Sequence, residues 1–82
     1  QLTKADGVLI LCDIFGATPS NIATELIQSG RIELITGLNL PMLIRAISYS
    51  SQGLDLCVAK AMEGGMNGII HVQGEINVNP TN

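Results

Sequence analysis

Short apolar runs that alternate with proline-containing loops set the pattern of the first half of the chain. Residues 7–13 are apolar up to Asp13, and the lack of polar alternation predicts a strand covered on both faces, as in a parallel sheet. A loop rich in Gly and Pro over 15–21 leads into a predicted helix over 19–29, which Gly30 ends. The first unit is therefore a strand, a loop and a helix.

The predicted helix over 19–29 has signals both for its start and for its buried side. Thr18 is placed to cap it, and Pro19 fits the first helical position. Its buried face is predicted to hold four apolar residues at helical spacing, which are Ile22, Ala23, Leu26 and Ile27.

The same unit then recurs. Residues 32–36 predict a second strand, residues 37–40 a turn, and Pro41 opens a second helix. The buried side of this helix is predicted from Met42, Leu43, Ala46 and Ile47. Two such units in succession are typical of right-handed β-α-β winding.

A third helix and a third strand complete the predicted elements. After a polar break over 48–53, a helix is expected over 54–63, ended by the Gly-Gly pair that follows, and a last strand over 68–72. The polar tail, 73–82, is a candidate edge or exchanged strand. The pattern predicts an α/β fold with an open, mostly parallel sheet and helices on both faces. Three strands are few for such a sheet, so residues outside this chain or a partner subunit are expected to complete it.

Composition narrows the function. The chain has 82 residues, 46% of them apolar and 13% charged, which predicts one small folded domain rather than a disordered segment. The net charge is -3, and the basic residues occur singly, so a nucleic-acid partner is not expected. They are Lys4, Arg31, Arg45 and Lys60.

No apolar run approaches the roughly 20 residues that span a bilayer, and no signal peptide is recognised. Insertion into a membrane is therefore not expected. We expect a cytoplasmic location. Cys12 and Cys57 both lie in apolar segments, which favours two buried free thiols over a disulfide.

The candidate chemistry lies where the first two strands end. The carboxyl ends of parallel strands and the N-termini of the following helices meet at one edge of the sheet, where ligands bind. The first loop offers the carboxylate of Asp13, a flexible Gly16, the Thr18 hydroxyl and free amides, a suitable cradle for a phosphoryl group. Asn39 follows the second strand and would lie beside this loop. Simpler interpretations are that Thr18 is a helix cap and Asn39 a turn residue.

Other kinds of site find little support. The first loop lacks the Gly-Lys-Ser/Thr ending of a Walker A motif. One histidine and two dispersed cysteines form no zinc constellation. His71 stands inside an apolar run late in the chain, which favours a structural role.

Two segments, 7–21 and 35–43, carry the motifs Asp-x-x-Gly-x-Thr/Ser-Pro-x-Asn and Gly-x-Asn-x-Pro-Met-Leu. With them the chain resembles, over about 2–72, the IIA component of the mannose/fructose/sorbose family of bacterial phosphotransferase systems. The resemblance implies that residues 1–72 are the C-terminal portion of such a domain, which has an open α/β fold. It also implies a homodimeric phosphocarrier without metal or nucleotide cofactor, which takes a phosphoryl group from the general phosphohistidine carrier protein and passes it to a IIB component.

The resemblance also assigns roles to residues. Asp13 matches the carboxylate that orients the reactive imidazole, and Gly16, Ala17 and Thr18 match the phosphate-holding loop, with Ala17 where many relatives have a second Gly. Asn39 is expected to support this site. The reactive histidine of the family lies at the end of the first strand of the full domain, so we expect it in an N-terminal part that precedes this chain.

By itself, then, the polypeptide should accept no phosphate. Two alternatives share the family: a phosphoryl-donor subunit of dihydroxyacetone kinase, and a regulatory module of a transcriptional activator.

Overall fold

The computed structural model of the protein describes residues 7–74 and contains two strands and three helices in that range. In chain order these are β1 (Val8–Cys12), α1 (Thr18–Thr24), β2 (Ile32–Thr36), α2 (Leu40–Ser48) and α3 (Leu54–Asn67). The strands pair in parallel, with Val8 opposite Ile32 and Cys12 opposite Thr36, so that α1 is the crossover between them. The α/β class and the open parallel sheet are confirmed.

Backbone hydrogen bonds extend the pairing of β1 and β2 beyond both ends of the ladder. At the amino end, the N–H of Val8 donates to the carbonyl oxygen of Arg31 at 2.8 Å. At the carboxyl end, the N–H of Leu38 donates to the carbonyl oxygen of Cys12 at 3.1 Å. The second bond fixes the loop after β2 against the end of β1, where the candidate chemistry lies.

The core is small and aliphatic. Its buried cluster joins β2 to the two C-terminal helices through Ile35, Met42, Ala46, Cys57 and Ala61. Leu9 and Leu11 of β1 pack against it from the sheet. Cys57 and Cys12 are both free thiols, as predicted, although only Cys57 is fully within the core.

The buried sides of α1 and α2 are narrower than predicted. Of the four apolar residues expected to be buried on each helix, only Ala23 is buried on α1, and only Met42 and Ala46 on α2. Ile22 and Ile47 are 61% and 65% exposed. Within residues 7–74 the helices have only one covered side, so the apolar residues beside the buried ones remain in contact with water.

α1 is shorter than the predicted span of 19–29, because its hydrogen bonding gives way to the turn that leads into β2. Beyond Thr24, the N–H of Leu26 donates to Ala23 in a tighter, three-residue step. Gln28 and Ile32 then exchange backbone hydrogen bonds of 2.9 and 2.7 Å. Residues 25–31 therefore form the turn, not helix.

The Gly-Gly pair does not end α3, which continues to Asn67. Both glycines lie buried against α2. A Cβ atom on Gly64 would lie 2.9 Å from the carbonyl oxygen of Pro41, and one on Gly65 would lie 2.7 Å from Cε of Met42. The pair serves the close approach of two helices, and this packing outweighs the weak helix propensity of glycine.

Residues 68–72, expected to form a strand, have no strand structure in the described part of the chain. The extension of α3 to Asn67, with Gly68 as its C-cap, takes up the start of that segment. Ile69, Ile70 and Val72 are all more than 70% exposed. The prediction for the tail, 73–82, falls largely on 75–82, outside the described residues.

Candidate functional site at the carboxyl edge of the sheet

The structure brings the two predicted loops to the same edge of the sheet. Asp13 directly follows β1 and Asn39 lies three residues after the end of β2, and the bond from Leu38 to Cys12 ties the two loops together. The spatial arrangement expected from the strand order is therefore present.

Asp13 is exposed. A carboxylate at the end of an apolar strand must find either a partner or water, and here its position gives it water. Contact with water is enough to stabilise the negative charge. The carboxylate is therefore accessible to a second group that approaches this edge.

The backbone of the loop over 13–17 has a defined shape. Gly16 has a φ of +92°, a conformation that favours glycine. Its N–H donates to Oγ of Ser20 at 2.8 Å, and the Ser20 hydroxyl donates in turn to the carbonyl oxygen of Ala17 at 3.0 Å. Nδ2 of Asn21 donates to the carbonyl oxygen of Gly16 at 3.3 Å. Side chains from the first turn of α1 thus hold the loop that precedes it.

Thr18 is not the cap of α1, contrary to the prediction. Ala17 occupies the N-cap position, no side chain caps the helix there, and Thr18 is the first helical residue. The side chain of Thr18 is exposed, and the first N–H groups of a helix have no partner within it. The simple structural explanation of Thr18 is therefore wrong, and its hydroxyl is accessible at the same edge as Asp13.

Asn39 has two structural contacts instead. Its Oδ1 accepts a hydrogen bond from the N–H of Met42 at 3.0 Å and so caps α2, and its Nδ2 donates to the carbonyl oxygen of Gly65 at 3.0 Å. The side chain joins the start of α2 to the last turns of α3. A supporting role for Asn39 at the phosphate loop stays a prediction.

At the candidate site the side chains of Asp13 and Thr18 are exposed. A groove of about 360 Å³ begins directly after Asn39, between the start of α2 (Leu40, Pro41, Ile44) and the end of α3 (Gly64, Asn67, Gly68). Within residues 7–74, no three His, Cys, Asp or Glu side chains lie close enough together to hold a metal ion. Burial raises the pKa of the Cys57 thiol, which disfavours the reactive thiolate. No helix in the same range is long and apolar enough to cross a bilayer.

Sequence reasoning did not identify Ser20 as part of the site. It is completely buried, and its hydroxyl has the two loop contacts described above. The available signal was the tendency of serine at helix starts to bond nearby backbone groups, but the pattern of residues does not show which groups it reaches.

Comparison with known proteins settles the family. Residues 1–62 match the family described as PTS system fructose IIA component. The chain belongs to this family. It is 36% identical over 75 residues to the PTS system mannose-specific EIIAB component of Escherichia coli (strain K12), a match that covers 84% of this chain and 23% of that protein. It is 45% identical over 42 residues to the PTS system fructose-specific EIIA component of Bacillus subtilis (strain 168), covering 50% of this chain and 29% of that protein.

The resemblance seen in the sequence is thereby confirmed, and it points to a sugar phosphotransferase system. These relatives favour neither the dihydroxyacetone kinase subunit nor the transcriptional activator. The chain spans about a quarter of the length of the curated relatives it matches.

Proposed function

We propose that this chain is part of a phosphocarrier domain of the phosphoenolpyruvate-dependent sugar phosphotransferase system. The domain takes a phosphoryl group from the general phosphohistidine carrier protein and passes it to a IIB component. The observation that carries the proposal is the position of an exposed Asp13 beside the loop of Gly16, Ala17 and Thr18, at the carboxyl edge of a parallel sheet, in a member of the IIA family.

Phosphoryl transfer between two imidazoles requires the positioning of the reactants more than it requires additional reactive groups. A lone pair on the acceptor imidazole forms a bond to phosphorus while the bond between phosphorus and the donor imidazole breaks, and its electron pair returns to the donor nitrogen. Charge on the phosphoryl oxygens must be stabilised during the transfer. Backbone N–H groups at the loop and the Thr18 hydroxyl supply hydrogen bonds to those oxygens.

Asp13 acts on the acceptor imidazole. A carboxylate that accepts a hydrogen bond from one ring nitrogen fixes the tautomer, so that the other nitrogen keeps its lone pair for attack. The exposure of Asp13 at the end of β1 allows such an approach. The carboxylate also stabilises the positive charge that the ring acquires during the transfer.

The reactive histidine is a residue outside this chain. His71, the one histidine of the sequence, lies beyond the end of α3 and is exposed, whereas the predicted loop follows β1. We therefore propose that the 82 residues alone accept no phosphate and that the longer domain does.

The apolar face of α2 supports a homodimer. Ile44 and Ile47 are 54% and 65% exposed, and contiguous exposed apolar side chains are typical of interaction surfaces. Light scattering on the intact protein should give twice the monomer mass. The proposed location is the cytoplasm, where the carrier partners act.

Replacement of Asp13 tests the function. In the intact protein, Asp13→Ala is expected to slow phosphoryl transfer by about 10²–10⁴-fold, the range found for groups that serve acid–base chemistry. Rapid-quench measurement of transfer from the phosphorylated carrier protein gives the rate. Transfer within a few fold of the wild-type rate would refute the role of Asp13.

A matched control is Asp55→Ala, which removes an exposed carboxylate from the first turn of α3. That turn lies at the opposite edge of the sheet, because a Cβ atom on Gly7 would lie 2.8 Å from Cδ2 of Leu54. This variant should transfer phosphate at the wild-type rate. An equal loss in both variants would indicate a general effect of charge instead of a local one.

A further inference from the structure

Ser20 is the polar side chain that residues 7–74 bury most completely, with no exposed surface. It stands at the variable position of the first motif, between Pro19 and Asn21, so membership of the family assigns it no role. A buried hydroxyl is costly unless it is hydrogen-bonded, and the two bonds of Ser20 both go to the loop before α1.

These two hydrogen bonds hold the loop at two backbone groups, the N–H of Gly16 and the carbonyl oxygen of Ala17. The hydroxyl accepts from the N–H of Gly16 and donates to the carbonyl of Ala17, which uses its one donor and one of its two acceptor lone pairs. Gly16 is the residue of the loop with the greatest conformational freedom, and it is held here at positive φ. Without the hydroxyl, the Gly16 backbone would lose one of its two side-chain restraints and keep the longer one, the 3.3 Å bond from Nδ2 of Asn21 to its carbonyl oxygen.

The bond from Gly16 also changes which amides can serve a ligand. Its N–H points to Ser20 and is used inside the loop, so the contribution of Gly16 is the shape of the loop. The amides that follow it in the chain are those of Ala17 and Thr18, whose orientation depends on that shape. Ser20 therefore determines where the loop presents its donors.

We propose that Ser20 is a positioning residue for phosphoryl transfer, which holds the backbone of Gly16 and Ala17 in the conformation that receives the phosphoryl oxygens. The inference rests on the proposed function, since it assumes that this loop meets a phosphoryl group. No new chemical step is added: the bond that forms and the bond that breaks are those between phosphorus and the two imidazoles.

The test compares Ser20→Ala with Thr24→Ala in the intact protein. Thr24 lies one turn further along α1, and its hydroxyl donates to the carbonyl oxygen of Ser20 at 2.8 Å, so its removal deletes a helix hydroxyl without touching the loop. Ser20→Ala should lower kcat for transfer from the phosphorylated carrier protein by about 10-fold, equivalent to about 1.4 kcal/mol, with KM within about twofold of wild type. Thr24→Ala should change neither constant by more than about twofold.

Ser20→Cys keeps a group of similar shape with weaker hydrogen bonding and should give an intermediate kcat. It also replaces the alanine variant if urea unfolding shows that Ser20→Ala does not fold. Amide hydrogen exchange by NMR supplies a second readout, because loss of the acceptor should speed exchange of the Gly16 N–H by about 10-fold relative to Thr24→Ala.

The possible failures are distinguishable. If the wild-type protein accepts no phosphate, the proposed function fails, and the exchange rate of Gly16 still reports on the hydrogen bond. If the wild type accepts phosphate and Ser20→Ala matches Thr24→Ala in kcat, the positioning role is overturned. A rise in KM with unchanged kcat would overturn it as well, because it would place Ser20 in carrier binding.

Discussion

Replacement of Asn39 by alanine should destabilise the protein through two separate hydrogen bonds. The Oδ1 atom caps α2 by accepting from Met42, and the Nδ2 atom donates to Gly65 in α3, each at 3.0 Å. Alanine removes both contacts, leaves the first turn of α2 uncapped, and leaves the partly buried Gly65 carbonyl without this donor.

The magnitude follows from the two contributions. Loss of a helix N-cap costs about 1 kcal/mol, and loss of one neutral hydrogen bond costs about 1 kcal/mol. The free energy of unfolding should therefore fall by about 2 kcal/mol. With the denaturant dependence of a small domain, the urea midpoint should fall by about 1–2 M.

Equilibrium urea unfolding of the intact protein, followed by circular dichroism, measures this loss, and Asn39→Asp is the matched control. Aspartate keeps an oxygen that can cap α2 but has no N–H to donate to Gly65, and it places a negative charge beside that carbonyl. The expected order of stability is wild type, then aspartate, then alanine.

A loss below about 0.5 kcal/mol for Asn39→Ala would refute both contacts. Equal losses for the aspartate and alanine variants would refute the cap and leave the bond to Gly65 as the important one.

Two further predictions follow from the helices. Gly64→Ala should lower the free energy of unfolding by about 1–2 kcal/mol, because its Cβ atom would meet the Pro41 carbonyl at 2.9 Å. The control is the reverse change at an exposed position of the same helix. There, Ala59→Gly should also lower the free energy of unfolding, by about 1 kcal/mol. Stabilisation by Gly64→Ala would show that the helices do not approach so closely. Thr18→Ala should leave the free energy of unfolding, measured with urea, within about 0.5 kcal/mol of wild type, since Thr18 is not a cap, while slowing phosphoryl transfer. A drop of about 1 kcal/mol would restore the capping role.

The parallel pair of strands, and the position of Asp13 and Asn39 at one edge of it, could be predicted from the sequence. Continuous apolar runs predict strands of a parallel sheet, although β1, expected to be covered on both faces, is only partly buried within residues 7–74. A polar residue directly after such a run, as at Asp13, is predicted to lie at the end of the strand, and it does. Because two similar strand–loop–helix units follow one another and their strands run in parallel, the carboxyl ends of both strands lie at the same edge of the sheet. These inferences use only local pattern and the connection rules of parallel sheets.

The boundaries of α1 and α3 could not be predicted in the same way. A Gly-Gly pair such as Gly64 and Gly65 is typical of a helix end, but here the close packing of α2 keeps both glycines within helix α3. The apolar residues after Thr24 suggest a longer helix, but the backbone bonds between Gln28 and Ile32 end it. Both outcomes depend on contacts between elements, which periodicity does not contain.

The candidate site, too, could be predicted from the sequence only in part. The motif identified the loop of Gly16 to Thr18, whereas the buried hydroxyl of Ser20 that holds it was visible only in the structure. Thr18 was expected to cap α1 and does not, whereas Asn39, expected to be a turn residue, caps α2, because the residue at which a helix starts decides which side chain faces the free amides.

We propose that a phosphoryl group passes through this domain on a histidine outside the 82 residues, beside Asp13. The most direct test is the intact mass of the longer protein after incubation with phosphoenolpyruvate and the general carrier proteins, followed by peptide mapping. We expect the longer protein to gain one phosphate, located outside these residues, and the 82-residue polypeptide alone to gain none. Phosphate on His71, or no gain by the longer protein, would contradict it.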